Sequence, residues 1–236
     1  MRDRVQPVAL LRISAAILGI ICAGISALAQ GEPSPETKRV LSRMDDANRT
    51  LTGMTADVKL TKVTTVVNDV SEETGKLFHK RSKKESRTRL DYLTPETKSL
   101  LIEKGKVFVY EPRIKRLYVY EQGKNRNQAE FFLIGFGPSS NLTRVYDVKF
   151  LKDETVNGIQ TSLLELTPKS PAMFTKILLW IDQTRWIPIQ IRPTESSGDY
   201  LTIEFTNIQL NPNLSDKMFK LDTPPDVEVV KPASST

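Results

Sequence analysis

Hydrophobic positions change their spacing near residue 53. Between about residues 35 and 51 apolar side chains recur at helical spacing, after a capping hydroxyl and a proline at Ser34-Pro35. Gly53 ends this predicted helix. From Met54 the period becomes two, so that polar residues separate Met54, Ala56, Val58 and Leu60. This alternation predicts a strand with one buried face.

The strand period then continues through most of the chain. Strands are predicted over 54–67, from Gly75 onward, and over 85–93, 99–103, 106–110, 116–120, 146–151, 161–167, 177–182, 187–192 and 200–210. Residues 226–230 are a further candidate for a final short strand. Lys104-Gly105 and Asn157-Gly158 are hairpin signals, and Ser215 caps one helical turn over 215–219. Strands at this close spacing predict one antiparallel meander of about eleven strands that curls into a sandwich or barrel.

Residues 129–138 interrupt this pattern. The run is apolar on nearly every side and stops at glycine and proline, so it predicts a short buried helix or lid. Met173-Phe174 is a second apolar pair outside any period. These residues either plug the core or form a lid over an apolar cavity, because a curved sheet of this size encloses more space than its own side chains readily fill.

The first thirty residues have the layout of a secretory signal peptide. Arginines precede an apolar run over 13–28, and Ala27-Leu28-Ala29 offers a cleavage site before Gln30. An uncleaved anchor is the alternative, but the run is shorter than the roughly 20 residues that span a bilayer. Lipidation at Cys22 is disfavoured, because bulky Ile21 stands where a small residue is needed. We therefore expect a signal peptide over 1–29 and a single exported domain over 30–236.

Composition limits the kinds of catalytic and metal site that the protein can contain. A hydrophobic content of 39% and a charged content of 26% are those of a globular protein. One cysteine and one histidine exclude a disulfide framework and the usual zinc and haem ligand sets. Nucleophile elbows, phosphate loops and dinucleotide fingerprints are missing from the sequence. We therefore expect no enzyme activity, no cofactor and no metal.

Two groups of charged residues leave alternatives open. Asp182, Glu195 and Asp199 could form a carboxylate site of a hydrolase, but turn residues between strands are the simpler interpretation. The net charge is +6, and basic residues cluster over 76–89. This stretch is either a solvated hairpin face or a surface for anionic lipid heads or an acidic partner, and nucleic acid is not expected. His79 lies within it and is expected at the solvated surface.

Several motifs together resemble the periplasmic outer-membrane lipoprotein carrier (LolA-like) family over about residues 35–230. They are the helix before the strand at Met54, the strand Gly75-Lys76-Leu77-Phe78-His79-Lys80-Arg81, the lid run Phe131-Phe132-Leu133-Ile134, Leu164-Glu165-Leu166-Thr167-Pro168-Lys169, and the closing run from Phe219 to Val229. The order and spacing of these motifs carry the resemblance. One departure is Ser82-Lys83-Lys84-Glu85, which stands where the family has proline and an aromatic strand.

The resemblance implies a fold and a function. The fold would be mainly β (α+β), an unclosed, strongly curved antiparallel half-barrel with covering lid helices. The protein would be a monomeric periplasmic carrier of lipoprotein acyl chains or another lipid. An inner-membrane ABC-type lipoprotein-releasing complex would be its donor and an outer-membrane protein its acceptor. A lipid- or partner-sensing protein of the same fold, without transport, is the alternative.

The resemblance and the strand pattern together nominate site residues. The expected cavity and lid comprise Met54, Val58, Leu60, Leu77, Leu90, Tyr92, Phe131, Phe132, Leu133, Ile134, Phe136, Met173, Phe174, Leu201, Ile203 and Phe205. Arg81 matches the family's strand arginine, which implies a hydrogen bond that favours the closed lid. We expect Phe132→Glu to abolish carriage while leaving the fold intact.

Overall fold

The computed structural model of the chain describes residues 32–82, 85–121 and 128–232. Residues from Pro33 onward form one compact unit. The proposed signal peptide over 1–29 lies outside the described residues, so its cleavage stays a prediction. Within the described ranges, no helix is both long and apolar enough to cross a bilayer.

Helix α1 spans Pro35–Thr50, as the sequence predicts. The Ser34 hydroxyl accepts a hydrogen bond from the Thr37 amide at 3.2 Å, which caps the first turn. One face of the helix buries Val40, Leu41 and Met44. The hydroxyl of Thr37 in turn accepts a hydrogen bond from the Phe150 amide at 2.9 Å, which attaches the helix to the sheet.

Twelve strands form one sheet. Their bounds are β1 Gly53–Thr64, β2 Asp69–Arg81, β3 Ser86–Thr94, β4 Lys98–Glu103, β5 Lys106–Glu111, β6 Arg116–Glu121, β7 Tyr146–Val156, β8 Ile159–Pro168, β9 Phe174–Asp182, β10 Pro188–Glu195, β11 Tyr200–Leu210 and β12 Glu228–Val230. Lys104-Gly105 and Asn157-Gly158 have positive φ at both positions. Both predicted hairpin turns are therefore confirmed.

Strand order makes the sheet an unclosed half-barrel. The order is β12-β6-β5-β4-β3-β2-β1-β11-β10-β9-β8-β7, so two meanders meet where β1 pairs antiparallel with β11. The short β12 pairs parallel with β6 at one edge, and β7 forms the other edge. The predicted fold class is confirmed, with one strand more than the expected eleven.

Several boundaries differ from the sequence prediction. Strand β1 ends at Thr64 instead of residue 67, because residues 65–68 form the turn to β2. Strand β2 begins at Asp69 instead of near Gly75, because its first residues are exposed on both faces and carry no alternating pattern. Strand β7 continues to Val156 for the same reason. A second helix, α2, occupies Ser139–Val145, a short segment for which the sequence pattern predicted no element.

Apolar side chains cover both faces of the sheet. The main core lies on the inner face, beneath α1 and the segment that joins β6 to β7. A smaller cluster lies on the outer face, where a 3₁₀ helix at Asp216–Phe219 places Phe219 against Leu101. The predicted helical turn capped by Ser215 is confirmed, since the Ser215 hydroxyl accepts from the Lys217 amide at 3.3 Å. We call residues 211–230 the C-terminal strap.

Candidate functional site

The inner face of the half-barrel is covered by the lid segment, which we define as residues 128–145. It consists of a 3₁₀ helix at Gln128–Leu133, a glycine-containing turn and helix α2. Phe131, Phe132 and Phe136 point into the main core and are almost fully buried. Phe131 packs edge-on against Phe174 with ring centroids 4.5 Å apart. The predicted short buried helix is therefore present, and its rings fill the inner face.

Arg81, at the end of β2, connects this lid to helix α1. Its guanidinium donates to the carbonyl of Phe136 at 2.6 Å and to the carbonyl of Asn48 at 2.9 Å. Burial lowers the pKa of Arg81, but an arginine stays charged at any physiological pH. The bond to Phe136 is a contact with the lid, whereas a role of Arg81 in favouring the closed form stays a prediction.

Helix α1 holds the lid through two further side chains. The Asn48 amide donates to the carbonyls of Gly135 at 3.3 Å and Gly137 at 3.1 Å. The Asp45 carboxylate accepts from the amide of Ser139 at 2.7 Å and from its hydroxyl at 2.6 Å, at the start of α2. We call Asp45, Asn48 and Arg81 the latch residues. Together they fix the backbone of the turn between the two lid helices.

The lid turn also requires glycine at its closest approach to the sheet. Gly135 has φ of +85°, a conformation that favours glycine. A Cβ atom at this position would lie 2.6 Å from Cγ of Pro188 at the start of β10. A larger residue would therefore push the lid away from the sheet.

The sequence prediction for the single histidine, a position at the solvated surface, is wrong. His79 is 3% exposed instead of solvated, because it lies on the inner face of β2 between Leu77 and Arg81. Its Nδ1 atom is 2.9 Å from the Thr88 hydroxyl on β3, and its Nε2 atom has no hydrogen-bond partner in the described part of the chain. Burial, with the nearby Arg81 charge, lowers the pKa of His79 from 6.5 to about 4. The ring is therefore neutral at physiological pH.

An apolar pocket of about 470 Å³ opens at the edge of the lid. Its lid wall is Phe131 and Ile134, and its sheet wall includes Phe174 and Ile177. The mouth is formed by the start of β7 and the loop between β8 and β9, with the lining residues Arg144, Val145, Tyr146, Pro168, Lys169, Ser170, Pro171, Ala172 and Met173. Met173 is 61% exposed at this mouth. The volume is within the range of small-molecule sites, roughly 300–1,000 Å³.

The nominated cavity residues divide between the pocket and the packed core. Phe131, Ile134, Met173 and Phe174 line the pocket. The following are buried in the main core: Met54, Val58, Leu60, Leu77, Leu90, Tyr92, Phe132, Phe136, Ile203 and Phe205. Leu201 packs half-buried against that core, and Leu133 is half-buried. Phe132 is 1% exposed, so Phe132→Glu would bury a charge and destabilise the fold instead of testing carriage.

The three nominated carboxylates lie at turns between strands. Asp182 accepts hydrogen bonds from the Thr184 amide at 2.7 Å and from Arg185 Nε at 2.6 Å, which closes the β9–β10 turn. Asp199 accepts from the Thr65 amide at 2.8 Å and from its hydroxyl, and these bonds lower the pKa of Asp199. Glu195 ends β10 in the same turn as Asp199. The simpler interpretation, turn residues, is confirmed for this part of the fold.

Many basic side chains of the stretch 76–89 form hydrogen bonds and ion pairs within the protein. Lys80 and Arg87 both donate to the Asp216 carboxylate, at 2.8 Å and 2.6 Å. Arg89 donates to the carbonyls of Met218 and Lys220. These cations therefore attach the C-terminal strap to the outer face of the sheet. Lys83 and Lys84, in the same stretch, lie outside the described residues.

Some site residues were not found from the sequence. Asp45 and Asn48 were overlooked, although Asn48 shares the apolar face of α1 with Val40, Leu41 and Met44. A polar residue in such a stripe is a signal of a buried hydrogen-bonding role. The loop at 168–172, which lines the pocket, could not be predicted as a site from the sequence, because its prolines and serine are typical of any surface turn.

Together, the fold and the site define a class of protein: an unclosed antiparallel half-barrel whose inner face is covered by a latched helical lid. Residues 49–222 match the family model described as outer membrane lipoprotein carrier protein LolA. The chain belongs to this family.

Two relatives agree with this assignment, and two solved structures share the fold. The outer-membrane lipoprotein carrier protein of Helicobacter hepaticus is 26% identical over 165 residues, which cover 70% of this chain and 78% of the relative. That of Methylobacillus flagellatus is 24% identical over 166 residues, which cover 69% and 75%. An uncharacterized conserved protein from Thermus thermophilus has a TM-score of 0.56 at 14% identity, with 84% and 99% covered. MucB has a TM-score of 0.53 at 15% identity, with 81% of this chain and 64% of MucB covered, less than two thirds of its length. Both structures show a shared fold.

Proposed function

We propose that the protein is a periplasmic carrier that binds the acyl chains of lipoproteins, or of another lipid, and shuttles them from the inner to the outer membrane. The pocket of about 470 Å³ between the lid and the sheet is the observation that carries this proposal. A carbon of an acyl chain fills about the volume of one water molecule, roughly 30 Å³, so the pocket has room for about sixteen carbons. Family membership supports the same function.

In the proposed mechanism, lid side chains and cargo compete for the inner face. Phe131 belongs both to the pocket wall and to the main core, so a chain longer than the pocket must displace it. Each buried phenylalanine contributes about 1.5–3 kcal/mol, and each buried methylene of a lipid about 0.8 kcal/mol. Displacement of the Phe131 ring therefore offsets part of the affinity for one chain. A carrier needs this balance, because it must also release its cargo.

The latch residues would set the cost of opening. Arg81 and Asn48 together donate three hydrogen bonds to carbonyls of the lid turn, and opening the lid would break them. The free energy needed to open the lid subtracts from the affinity for cargo. Directional transfer then needs only differences in affinity among donor, carrier and acceptor, with no catalysis and no cofactor.

The proposed route follows from the export signal and the family. A signal peptide over 1–29 would deliver the chain to the periplasm as a monomer. An inner-membrane ABC-type lipoprotein-releasing complex would then load it, and an outer-membrane acceptor would unload it.

Release of lipidated protein from inner-membrane spheroplasts tests this function. We expect Met173→Glu to reduce release at least about tenfold, because a carboxylate at the pocket mouth opposes entry of an apolar chain. Val66→Glu is the matched control, since Val66 is 83% exposed at the β1–β2 turn and does not line the pocket. Undiminished release by Met173→Glu would refute the pocket as the cargo site.

Native mass spectrometry, combined with the release assay, separates carriage from sensing. Native mass spectrometry of the purified protein shows whether a lipid accompanies it. A bound lipid without release from spheroplasts would support the alternative, a lipid- or partner-sensing protein of this fold, over a carrier.

A further inference from the structure

Two cations line the mouth of an otherwise apolar pocket. Arg144 ends helix α2 in the lid segment, and Lys169 lies in the loop after β8. They stand on two different elements that meet at the mouth, while Phe131, Ile134 and Phe174 form the apolar interior. These charges do not contribute to binding of an acyl chain alone, because its methylenes interact only with the apolar walls.

Lys169 is held in position by its surroundings. Its ammonium donates to the Thr143 carbonyl at 2.6 Å, and its backbone amide donates to the Val145 carbonyl at 3.0 Å. The Asp147 carboxylate lies 3.7 Å from the ammonium, too far for a hydrogen bond but close enough to offset part of the charge. Lys169 thus joins the end of α2 to the β8–β9 loop and keeps donor capacity toward the mouth.

Arg144 supplies the uncompensated charge. It is exposed, and its guanidinium has no ion pair or hydrogen bond with any residue in the described ranges. With Arg144, Lys169 and Asp147 counted together, the mouth carries a net positive charge of about one. A guanidinium binds a phosphate through two parallel hydrogen bonds, a geometry that a neutral ester or thioether cannot offer.

We propose that this pocket recognises an acyl chain whose glycerol end carries a phosphate, with Arg144 and Lys169 as the phosphate-binding residues. The proposal rests on the proposed function, since it assumes that the pocket holds an acyl chain. It adds the substrate class: an anionic glycerophospholipid is preferred over a neutral acylglycerol. The phosphate would stay at the wet mouth while the chain enters between lid and sheet. Bound there, it would bridge α2 and the β8–β9 loop.

Two lipids that differ only in the phosphate test the proposal. Monopalmitoylglycerol and its 3-phosphate, both below their critical micelle concentrations, are titrated into the full chain by displacement of a fluorescent fatty acid. We expect the phosphorylated lipid to bind about five- to tenfold more tightly, which is the size of an exposed charge-assisted contact. The preference should shrink as salt is raised, because the mouth is open to solvent.

A double variant assigns the preference to the two cations. In Arg144→Gln/Lys169→Gln the ratio of the two affinities should fall to about one, and the variant should still bind monopalmitoylglycerol. Lys149→Gln is the matched control, an exposed lysine on β7 that does not line the pocket, and it should keep the preference. Inorganic phosphate alone should not displace the probe, because it lacks the chain.

The outcomes separate the two proposals. Equal affinities of the two lipids for the wild type, or a preference that survives in the double variant, would overturn the phosphate site while leaving the acyl-chain pocket in place. Displacement by inorganic phosphate alone would overturn the lipid as the source of the anion. Failure of both lipids to bind would overturn the proposed function and this inference with it.

Discussion

Replacing Arg81 by leucine tests whether the lid is held by the latch. In the described ranges, the guanidinium donates the one side-chain hydrogen bond from β2 to the lid turn, at 2.6 Å to the Phe136 carbonyl, and it also donates to the Asn48 carbonyl of α1 at 2.9 Å. Leucine keeps the aliphatic part of the side chain but removes both hydrogen bonds. The lid turn would then be held by the Asn48 and Asp45 side chains and by the packing of its rings.

The size of the effect follows from the hydrogen bonds. A bond from a charged donor contributes about 1.5–3 kcal/mol, and partial exposure of Arg81 puts each bond at the low end. Only the bond to Phe136 joins Arg81 to the lid, so its loss shifts the equilibrium between closed and open lid by about 1.5 kcal/mol, or roughly tenfold toward the open form. Cargo affinity should rise, because less free energy is spent on opening.

Hydrogen exchange at the lid measures this shift directly. The amides of Ile134 and Phe136 donate to carbonyls within the lid, so their exchange should accelerate by about the same factor when opening exposes them. Arg87→Leu is the matched control, because Arg87 contacts Asp216 on the outer face and not the lid. If Arg81→Leu and Arg87→Leu give the same exchange rates at these two amides, the latch interpretation is refuted.

Two further predictions concern the surroundings of the latch. The pKa of His79 is about 4 in the folded chain and near 6.5 in the unfolded chain, so the unfolded chain takes up the proton first as the pH falls. The free energy of unfolding should therefore decrease between pH 6.5 and pH 4, by on the order of 3 kcal/mol in total. Urea unfolding between pH 7 and pH 4 should show this loss in the wild type and a shallower slope in His79→Gln. Gly135→Ala should destabilise the closed lid by about 1–3 kcal/mol, because residue 135 has a φ of +85° and its Cβ atom would contact Pro188. Hydrogen exchange should then be faster at the Phe136 amide and unchanged in β11. Equal protection of the lid in Gly135→Ala and wild type would contradict this account.

The sheet was predictable because its strands bury one face. Thr88, Leu90 and Tyr92 on β3 alternate with Arg89 and Asp91, and the structure buries the first set as the pattern predicts. The first part of β2 was not predictable in this way, since Asp69–Thr74 are held by backbone pairing to β1 and not by burial. Periodicity finds strands that bury a face, and it misses strands that only hydrogen-bond to a neighbour.

Predictions for single polar residues depended on tertiary neighbours. His79 stands among lysines and arginines in the sequence, but alternation along β2 turns it inward while Lys80 turns outward. The same alternation places Arg81 on the inner face, where it reaches the lid. Application of the two-residue period to the basic stretch would have found His79, whereas the partner of Arg81 lies 55 residues away and is set by the fold.

The seam between β1 and β11 has a consequence for how the chain acquires its fold. Each meander, β1–β6 and β7–β11, pairs strands that are near neighbours in sequence, but the seam joins residues as far apart as Met54 and Leu210. Contacts of such long separation form slowly, since a large loop must be closed before they contribute. The half-barrel therefore cannot be completed until β11 has been synthesised and can pair with β1. In the export that we propose, the seam would then close only after β11 has followed β1 across the inner membrane.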